Sequence, residues 1–466
     1  MRTFSIITLG CKVNQYESQQ IRQLLEQRGL EQVDAPYKSD LVIVNTCCVT
    51  HTASAKSRQY IRKARRINPD AAIIVCGCLP TAQIGELNGI DKNVLIIRHR
   101  DNLATFVTRL VKGNVTSSDL QIAQLYEETA IRGENSSRIT CKNDLGGNLF
   151  GLPQLTSFKG QTRAFLKVQD GCDGYCSYCI VPKVRPFVQS KPVEVVLQEA
   201  QALVKAGHKE IVVTGIFLGS YGQESVRRKS RAGEQNDRLA DLLDKMAQIP
   251  NLARIRLSSL EPADVTPRLL DVFCKHRNIM PHLHLSLQSG SDAVLRRMCR
   301  QYTVGEFREK IELLKSRLDR PAITTDVIVG FPGETDADFQ RTINLAKDVG
   351  FAKMHIFAFS PRKGTAAAVM QGAVDNRVIK EHSRMLRDLD IELGRAYRQQ
   401  FVEEMAEILV ENDSGQVCGR SERYFMVYLN GNRKRTLRNT IIQVKLVENR
   451  KNGMTGEMQE HKCTRA

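Results

Sequence analysis

No apolar run in this 466-residue chain reaches the length needed to cross a bilayer, which excludes a membrane-spanning helix. No basic start followed by an apolar core marks a secretory leader, because Met1–Leu9 runs straight into a strand-like stretch. The chain therefore reads as cytoplasmic, a setting where disulfides are rare and clustered cysteines bind metal or do chemistry. Acids are in short supply: 51 Asp and Glu stand against 68 Lys and Arg. The net charge of +17 favours a polyanionic partner, most simply nucleic acid, over a basic surface that only aids solubility. Charged residues make up 26%, near the average for soluble proteins, which argues against wholesale disorder. The cysteines number thirteen, so they cannot all pair within the chain.

Three of those cysteines form the spacing C-x3-C-x2-C in Cys172-Asp173-Gly174-Tyr175-Cys176-Ser177-Tyr178-Cys179. Three thiolates in one tight loop hold three corners of a cubane iron–sulfur cluster and leave the fourth iron without a ligand from the motif. An open position on a reducible cluster implies that a substrate or cofactor binds there. A structural zinc site wants four ligands, and no fourth Cys or His follows closely, the next being His208. Zinc or spare thiols are the competing readings.

Residues 1–112 repeat one pattern. Strand-like runs at Phe4–Leu9, Leu41–Thr46, Ala72–Cys76 and Val94–Arg98 alternate with helical ones at Asn14–Arg28, Thr52–Asn68, Pro80–Leu87 and Leu103–Val111. The alternation predicts an open parallel sheet covered by helices, a domain of the α/β class. Cys11, then Cys47 and Cys48, then Cys78 follow the first three strands. Ligands of such sheets bind outside the carboxyl ends of the strands, so Cys11, Cys47 and Cys78 are candidates for a second cluster. Any one of them alone would read as a buried small hydrophobe. Cys48 and Cys76 are the spare members, Cys76 reading as packing within its strand.

Residues 113–160, rich in Ser, Asn, Gly and Thr, read as a linker, with Cys141 as a spare thiol. Over 161–398 six further strand candidates appear: Ala164–Gln169, Glu210–Thr214, Arg254–Ser258, His282–Leu287, Ile323–Val329 and Met354–Phe359. Helical stretches such as Val193–Ala206 and Thr335–Val349 lie between them. Six βα units predict an incomplete (βα)6 barrel, with the cysteine loop on the strands' C-terminal face, where barrel active sites are built. Gln223–Arg238 reads as a surface insertion and His284 as a satisfied core histidine.

Residues 399–466 change character to short β-type runs, Ala406–Glu411, Tyr424–Leu429 and Ile441–Glu448, which predict a small β-barrel module. From Arg420 to Ala466 there are eleven Lys or Arg against four acids. The concentrated run Arg433-Lys434-Arg435-Thr436-Leu437-Arg438, with Tyr424 and Phe425 nearby for stacking, reads as an RNA-binding surface, against a solvated basic tail with ordinary core aromatics. A second basic patch lies on the helix after Cys47, where Arg58, Arg62, Arg65 and Arg66 share one face by their spacing. It reads as a phosphate-tracking stripe or as a solvated helix face.

The C-x3-C-x2-C loop resembles the signature of the radical S-adenosylmethionine enzymes, and nearly the whole chain resembles their methylthiotransferase branch. Thr8-Leu9-Gly10-Cys11-Lys12-Val13-Asn14-Gln15-Tyr16-Glu17-Ser18, Asn45-Thr46-Cys47 and Gly77-Cys78 are similar to that branch's auxiliary-cluster domain. Val213-Thr214-Gly215, Arg256-Leu257-Ser258-Ser259-Leu260-Glu261-Pro262, Leu283–Asp292 and Gly330-Phe331-Pro332-Gly333-Glu334-Thr335 are similar to its barrel. The tail stands where the family carries a small TRAM-like RNA-binding β-module. Cys11-Lys12-Val13-Asn14 looks most like the branch that modifies threonylcarbamoyladenosine in tRNA, rather than relatives that modify isopentenyladenosine or a ribosomal-protein aspartate. After the cluster motif the family usually shows Arg-Gly and then Arg-Ser. Here Pro186 follows Arg185, and Gln189-Ser190 stands where Arg-Ser is expected.

The resemblance implies two 4Fe-4S clusters and S-adenosylmethionine. The cofactor would chelate the open iron held by Cys172, Cys176 and Cys179, and its reductive cleavage would give a 5′-deoxyadenosyl radical. The auxiliary cluster at Cys11, Cys47 and Cys78 would supply sulfur, and a second cofactor molecule the methyl group. Gly215, Ser259, Glu261, Ser286 and Gln288, at or near strand ends, would line the cofactor pocket; each equally serves as a turn or cap residue. The implied partners are the tRNA anticodon arm, a reducing electron donor and a sulfur source. An iron–sulfur electron-transfer protein and a zinc-containing RNA-binding protein are the readings of other classes.

Overall fold

Leu41–Thr46 is buried at every residue, the pattern of a strand covered on both faces. It is the centre (β3) of a parallel sheet in the order β2-β1-β3-β4-β5, where β1 is Thr3–Thr8, β2 Glu31–Gln32, β4 Ala72–Gly77 and β5 Val94–Ile96. Helices α1 (Lys12–Gln27), α2 (His51–Ile67), α3 (Cys78–Ala82) and α4 (Leu103–Val111) connect or follow the strands. The computed structural model describes residues 1–34, 36–82, 84–87, 90, 94–98, 103–111, 152–227, 236–430 and 436–458. Most of the expected linker with Cys141, half of the Gln223–Arg238 insertion, Arg433, Lys434 and Arg435 lie outside them. Two compact units result: Met1–Ser157 with Ile180–Pro186, and Phe158–Cys179 with Phe187–Ala466.

In the first unit one apolar layer joins Phe4, Leu25, Ile43 and Ile74 with Cys76, which is packing as the sequence suggested. The other layer joins Val42, Val44, Cys48, Ile61 and Val75 with Ile180 and Val184, carried by the short helix α5 (Val181–Val184). On α2 the buried face is Ser54, Ser57, Ile61 and Ala64. Arg58 and Arg65 flank that face and are engaged: Arg58 pairs with Glu86, and Arg65 donates to the carbonyls of Pro69 (2.6 Å) and Ala71 (3.0 Å). The stripe expected from spacing is therefore split: Arg62 and Arg66 are its exposed members, and Lys56 and Lys63 are exposed beside them.

The second unit holds six successive parallel strand positions: β6 (Arg163–Asp170), β8 (Glu210–Gly215), β9–β10, β11 (His282–Leu285), β12 (Ala322–Val329) and β13 (Lys353–Ala358). A two-residue strand, β7 (Gln189–Ser190), pairs antiparallel with β6. The third position is broken. β9 (Arg254–Leu257) pairs with β8, while β10 (Ser259–Leu260) pairs with β11. Ser258 stands between them and donates to the Val213 carbonyl at 2.9 Å. The α/β class and a C-terminal closed barrel are as expected. That barrel orders its strands β14-β15-β16-β18-β17, with β14 Met405–Asn412, β15 Cys418–Ser421, β16 Met426–Leu429, β17 Ile441–Arg450 and β18 Gly453–Met458.

Two buried arginines fasten this barrel to the strands. Arg254 reaches Glu407 Oε1 (3.1 Å) and the carbonyls of Glu407 (2.6 Å) and Arg420 (3.0 Å). Arg256 donates to Glu210 Oε1 (2.9 Å) and the Ser421 carbonyl (2.6 Å). Tyr424 stacks on His282, with ring centroids 4.0 Å apart, and Phe425 lies against Phe401. These two aromatics, expected to serve RNA stacking, are engaged in packing within the unit. A 24-residue helix over Asn376–Gln399, absent from the sequence reading, precedes the barrel. No described helix is long and apolar enough to cross a membrane.

Candidate functional site

Gly10 and Gly77, each immediately before a cysteine, adopt φ of +102° and +95°, the region that glycine enters freely. A Cβ on Gly10 would lie 2.7 Å from Cys47 Cβ and 2.9 Å from its sulfur, and one on Gly77 would strike the backbone of Thr46. The strand ends thus approach too closely for any other residue. The side chain of Asn14 clamps them, donating to the carbonyls of Leu9 (2.8 Å) and Thr46 (2.9 Å). Thr46 in turn donates to the Cys76 carbonyl at 2.6 Å, and the Ser57 hydroxyl to the Cys47 carbonyl at 3.0 Å.

On this rim Cys11, Cys47 and Cys78 act on one another electrostatically. Burial raises the Cys47 thiol to about 11. Desolvation also raises Cys11, although Arg185 pulls the other way. Cys48 is wholly buried in the apolar layer, its thiol directed to the Cys78 carbonyl at 3.4 Å. Cys47 and Cys78 are buried, while Cys11 is exposed at the edge of the rim. Three sulfurs that repel one another as anions become thiolates together only beside a strongly cationic centre, and iron in a cubane cluster is one. The donor set and the tight glycine cradle fit such a group.

In the second unit the Cys172–Cys179 loop follows β6, and its anchors are two aspartates. Asp170 pairs with Lys167 (2.8 Å) and accepts from the Gly171 amide (2.8 Å). Asp173 accepts from the Val226 amide (2.8 Å) and the Ser225 hydroxyl (2.6 Å). Gly171 has φ +79°, and a Cβ there would strike the Phe187 carbonyl. Ser177, between the second and third cysteines, is bound at three points: its amide donates to the Met298 carbonyl (3.0 Å), its hydroxyl to the Arg297 carbonyl (2.8 Å), and its carbonyl accepts from Ala367 (2.8 Å). Desolvation raises the Cys172 thiol to about 12, with Cys179 and Cys176 adding to the effect. The Gly174 amide and Cys172 Sγ are 3.3 Å apart. This donor set also fits three corners of a cubane.

Arg300 was not among the expected site residues. Its Nη1 is 3.1 Å from Cys176 Sγ, its Nη2 donates to Glu261 Oε1 at 2.6 Å, and its Nε lies 3.2 Å from Tyr302 Oη. Glu261 opens a short 3-10 turn directly after β10, which puts its carboxylate at the strands' C-terminal end. Ser286 and Gln288 follow β11. The Ser286 carbonyl accepts from Tyr302 Oη at 2.6 Å. Gln288 has φ +66° and bridges β12 by its backbone, donating to Asp326 (2.8 Å) and accepting from Ile328 (2.9 Å). Gly215 ends β8 against Gln169, whose side chain a Cβ would crowd at 2.9 Å. Ser259 is an exposed residue of β10. Glu261 is tied to the cysteine loop through Arg300; no such link joins Gly215 or Ser259 to it among the described contacts.

His284 belongs to a group rather than to the core alone. Its Nε2 lies 3.3 Å from Asp326 Oδ2, its Nδ1 lies 3.0 Å from Thr324 Oγ1, and His355 stands next to Asp326.

Residues 3–97 match the family described as Uncharacterized protein family UPF0004, and residues 166–346 match the Radical SAM superfamily. The chain is 35% identical over 457 residues to the Threonylcarbamoyladenosine tRNA methylthiotransferase MtaB of Chlamydia pneumoniae, covering 98% of each. It is 36% identical to the protein of the same name from Thermotoga maritima, over 93% of this chain and 92% of that one. It is 30% identical to the tRNA-2-methylthio-N(6)-dimethylallyladenosine synthase of Geobacillus kaustophilus, over 98% of this chain and 82% of that one. Among solved structures, the radical S-adenosylmethionine methyltransferase TsrM of Kitasatospora setae superimposes with a TM-score of 0.53 at 14% identity, over 79% of this chain and 75% of that one, a likeness of fold. With two separate three-cysteine rims, an incomplete barrel and relatives matched from end to end, this chain belongs to the radical S-adenosylmethionine methylthiotransferase family.

Proposed function

We propose that this enzyme adds a methylthio group to carbon 2 of N6-threonylcarbamoyladenosine, next to the anticodon of tRNA, in the cytoplasm. The observation that carries the reading is the pair of three-thiol sites in one chain, each of which leaves one iron of a cubane open. A reduced cluster with S-adenosylmethionine supplies the power to take hydrogen from an unreactive carbon.

The residues divide that work. Cys172, Cys176 and Cys179 hold the cluster at which the cofactor binds. Glu261 and Arg300 form a buried pair of opposite charges beside Cys176, complementary to the amino and carboxylate groups of an amino-acid cofactor. Ser286 and Gln288 present backbone and side-chain groups at the same strand ends, and Gly215 keeps the end of β8 open. Cys11, Cys47 and Cys78 would hold the second cluster, which would supply the sulfur to be transferred. Arg62, Lys63 and Arg66 on α2, with the basic run Arg433–Arg438, supply phosphate contacts to the anticodon arm. An electron donor and a sulfur source complete the cycle.

The test is mass spectrometry of tRNA nucleosides from cells with and without the gene. Loss of the methylthio form of threonylcarbamoyladenosine on deletion is expected. Loss instead of a methylthio group from dimethylallyladenosine, the nucleoside in the name of the Geobacillus relative, would overturn the substrate while leaving the chemistry.

A further inference from the structure

Arg185 ends the turn that follows α5, and its guanidinium lies in the first unit, against α1. Nη1 donates to Glu17 Oε1 at 2.8 Å and Nη2 to Glu17 Oε2 at 2.9 Å, a two-pronged pair whose side chains are 3% and 5% exposed. Nη2 is also 3.4 Å from Asn14 Oδ1, the same atom that lies 4.0 Å from Cys11 Sγ. Asn14 and Glu17 are one turn apart on α1 and share a face. The placement is built: Ile180 and Val184 anchor the segment in the apolar layer, and Asn14 is itself the clamp between β1 and β3. A buried ion pair is a poor source of stability, because desolvating both charges offsets their attraction. Its position beside the cysteine rim calls for another account. The two partners do not cancel at that rim, because the guanidinium reaches Asn14 Oδ1, the atom next to Cys11 Sγ, while Glu17 stands one turn further along α1.

We propose that Arg185 is the positioning residue that makes the Cys11/Cys47/Cys78 site a receptor for an anionic sulfur ligand, a hydrosulfide or an alkyl thiolate on the open iron. Three thiolates around a cluster repel a further sulfur anion, and a fixed guanidinium on the same rim offsets that repulsion. Glu17 holds the guanidinium in place and tempers its field. The inference rests on the reading of this rim as the auxiliary cluster, and it goes further by naming the residue that sets the cluster's affinity for sulfur.

The test uses the full chain with Cys172, Cys176 and Cys179 changed to Ala, so that only the auxiliary cluster remains. Hydrosulfide is titrated against the reduced cluster and followed by electron paramagnetic resonance, with iron and sulfide content measured in each sample. Glu17→Gln leaves the guanidinium with a neutral acceptor and removes the opposing charge, so hydrosulfide binds more tightly. The double change Arg185→Gln with Glu17→Gln removes the charge pair without stranding a buried carboxylate, so hydrosulfide binds more weakly. Each shift is expected to be roughly tenfold, the scale of one partly buried charge a few ångströms away. A role in stability alone would move both variants the same way. Shifts of the same sign, or none, overturn the proposal; should the double variant lose its cluster, Glu17→Gln decides alone, and no tightening there overturns it. A rim that holds no iron–sulfur cluster before either change would instead overturn the reading of the auxiliary site, and this proposal with it.

Discussion

Arg300 donates from Nη2 to Glu261 Oε1 at 2.6 Å, and both side chains are closed off from solvent. Desolvation works against the charge on Arg300, yet Glu261 and the neighbouring tyrosines and Cys176 raise its pKa well above the ordinary value. Arg300 therefore keeps its charge beside Cys176. Glu261→Gln is expected to weaken S-adenosylmethionine binding by roughly ten- to a hundredfold, the scale of a lost charge-assisted hydrogen bond at a buried site. Equilibrium binding to the reconstituted protein measures it, with iron content unchanged. Binding as tight as wild type would remove Glu261 from the cofactor site.

On the proposed assignment of two clusters, the cysteines divide into two sets with separate readouts. Changing Cys172, Cys176 or Cys179 to Ala should abolish formation of 5′-deoxyadenosine, since each removes a cluster ligand from a loop with no spare thiol. Changing Cys11, Cys47 or Cys78 should leave it largely intact and stop methylthiolation. Cys48→Ala should keep the product, because Cys48 sits in an apolar layer, at about 1–2 kcal/mol of stability for the lost packing. Gly10→Ala should behave like Cys47→Ala, its Cβ meeting the Cys47 sulfur at 2.9 Å. Iron content should then fall from about eight to about four per chain.

Much of this was legible in the sequence, and the exceptions share a cause. Strand–helix alternation placed the cysteines on strand ends because a strand buried on both faces has to be continuously apolar, as Leu41–Thr46 is. The spacing of Arg58, Arg62, Arg65 and Arg66 gave a face but not its neighbours, and Glu86 engages Arg58. The Asn376–Gln399 helix went unseen because its buried face includes Ser383, Asp390, Gly394 and Arg398 alongside Leu386 and Leu389, so no apolar period stands out. Arg185 and Glu17 are 168 positions apart, and nothing local announces their pairing. Tyr424 carried the composition of a stacking platform, but His282, in a distant strand, takes its ring face.

Glu334 gives a pH prediction. Burial raises its carboxyl to about 7, only partly offset by the hydrogen bond from the Gly330 amide at 2.6 Å. An acid whose pKa is raised on folding binds its proton more tightly in the folded state. Its favourable contribution is complete below the ordinary carboxyl value of about 4.5 and is lost as pH rises through about 7. Glu334→Gln keeps an acceptor for Gly330 and removes the titration. The variant should therefore gain stability over wild type at pH 8, by at most about 3 kcal/mol. The difference should close near pH 4.5. Thermal melts of the two proteins across this range check the sign, and a gap that widens toward acid would refute it.

The last prediction separates engaged from available charge on α2. Arg62, Lys63 and Arg66 are exposed, whereas Arg58 is paired with Glu86 and Arg65 is bonded to two carbonyls. If α2 contacts a phosphate backbone, the exposed three release counterions on binding and the engaged two contribute little. Changing Arg62, Lys63 and Arg66 to Gln should weaken tRNA binding and lower the slope of log affinity against log salt by about two to three, at roughly 0.7–0.9 per contact. Changing Arg58 alone should leave that slope near wild type. Changing Arg433, Lys434 and Arg435 should lower it by a similar amount, and the two triple changes should add if one RNA meets both regions. Fluorescence anisotropy over a salt series gives each slope. A slope that falls with Arg58 and not with Arg62, Lys63 and Arg66 would mean that α2 meets the RNA with its other edge, or not at all.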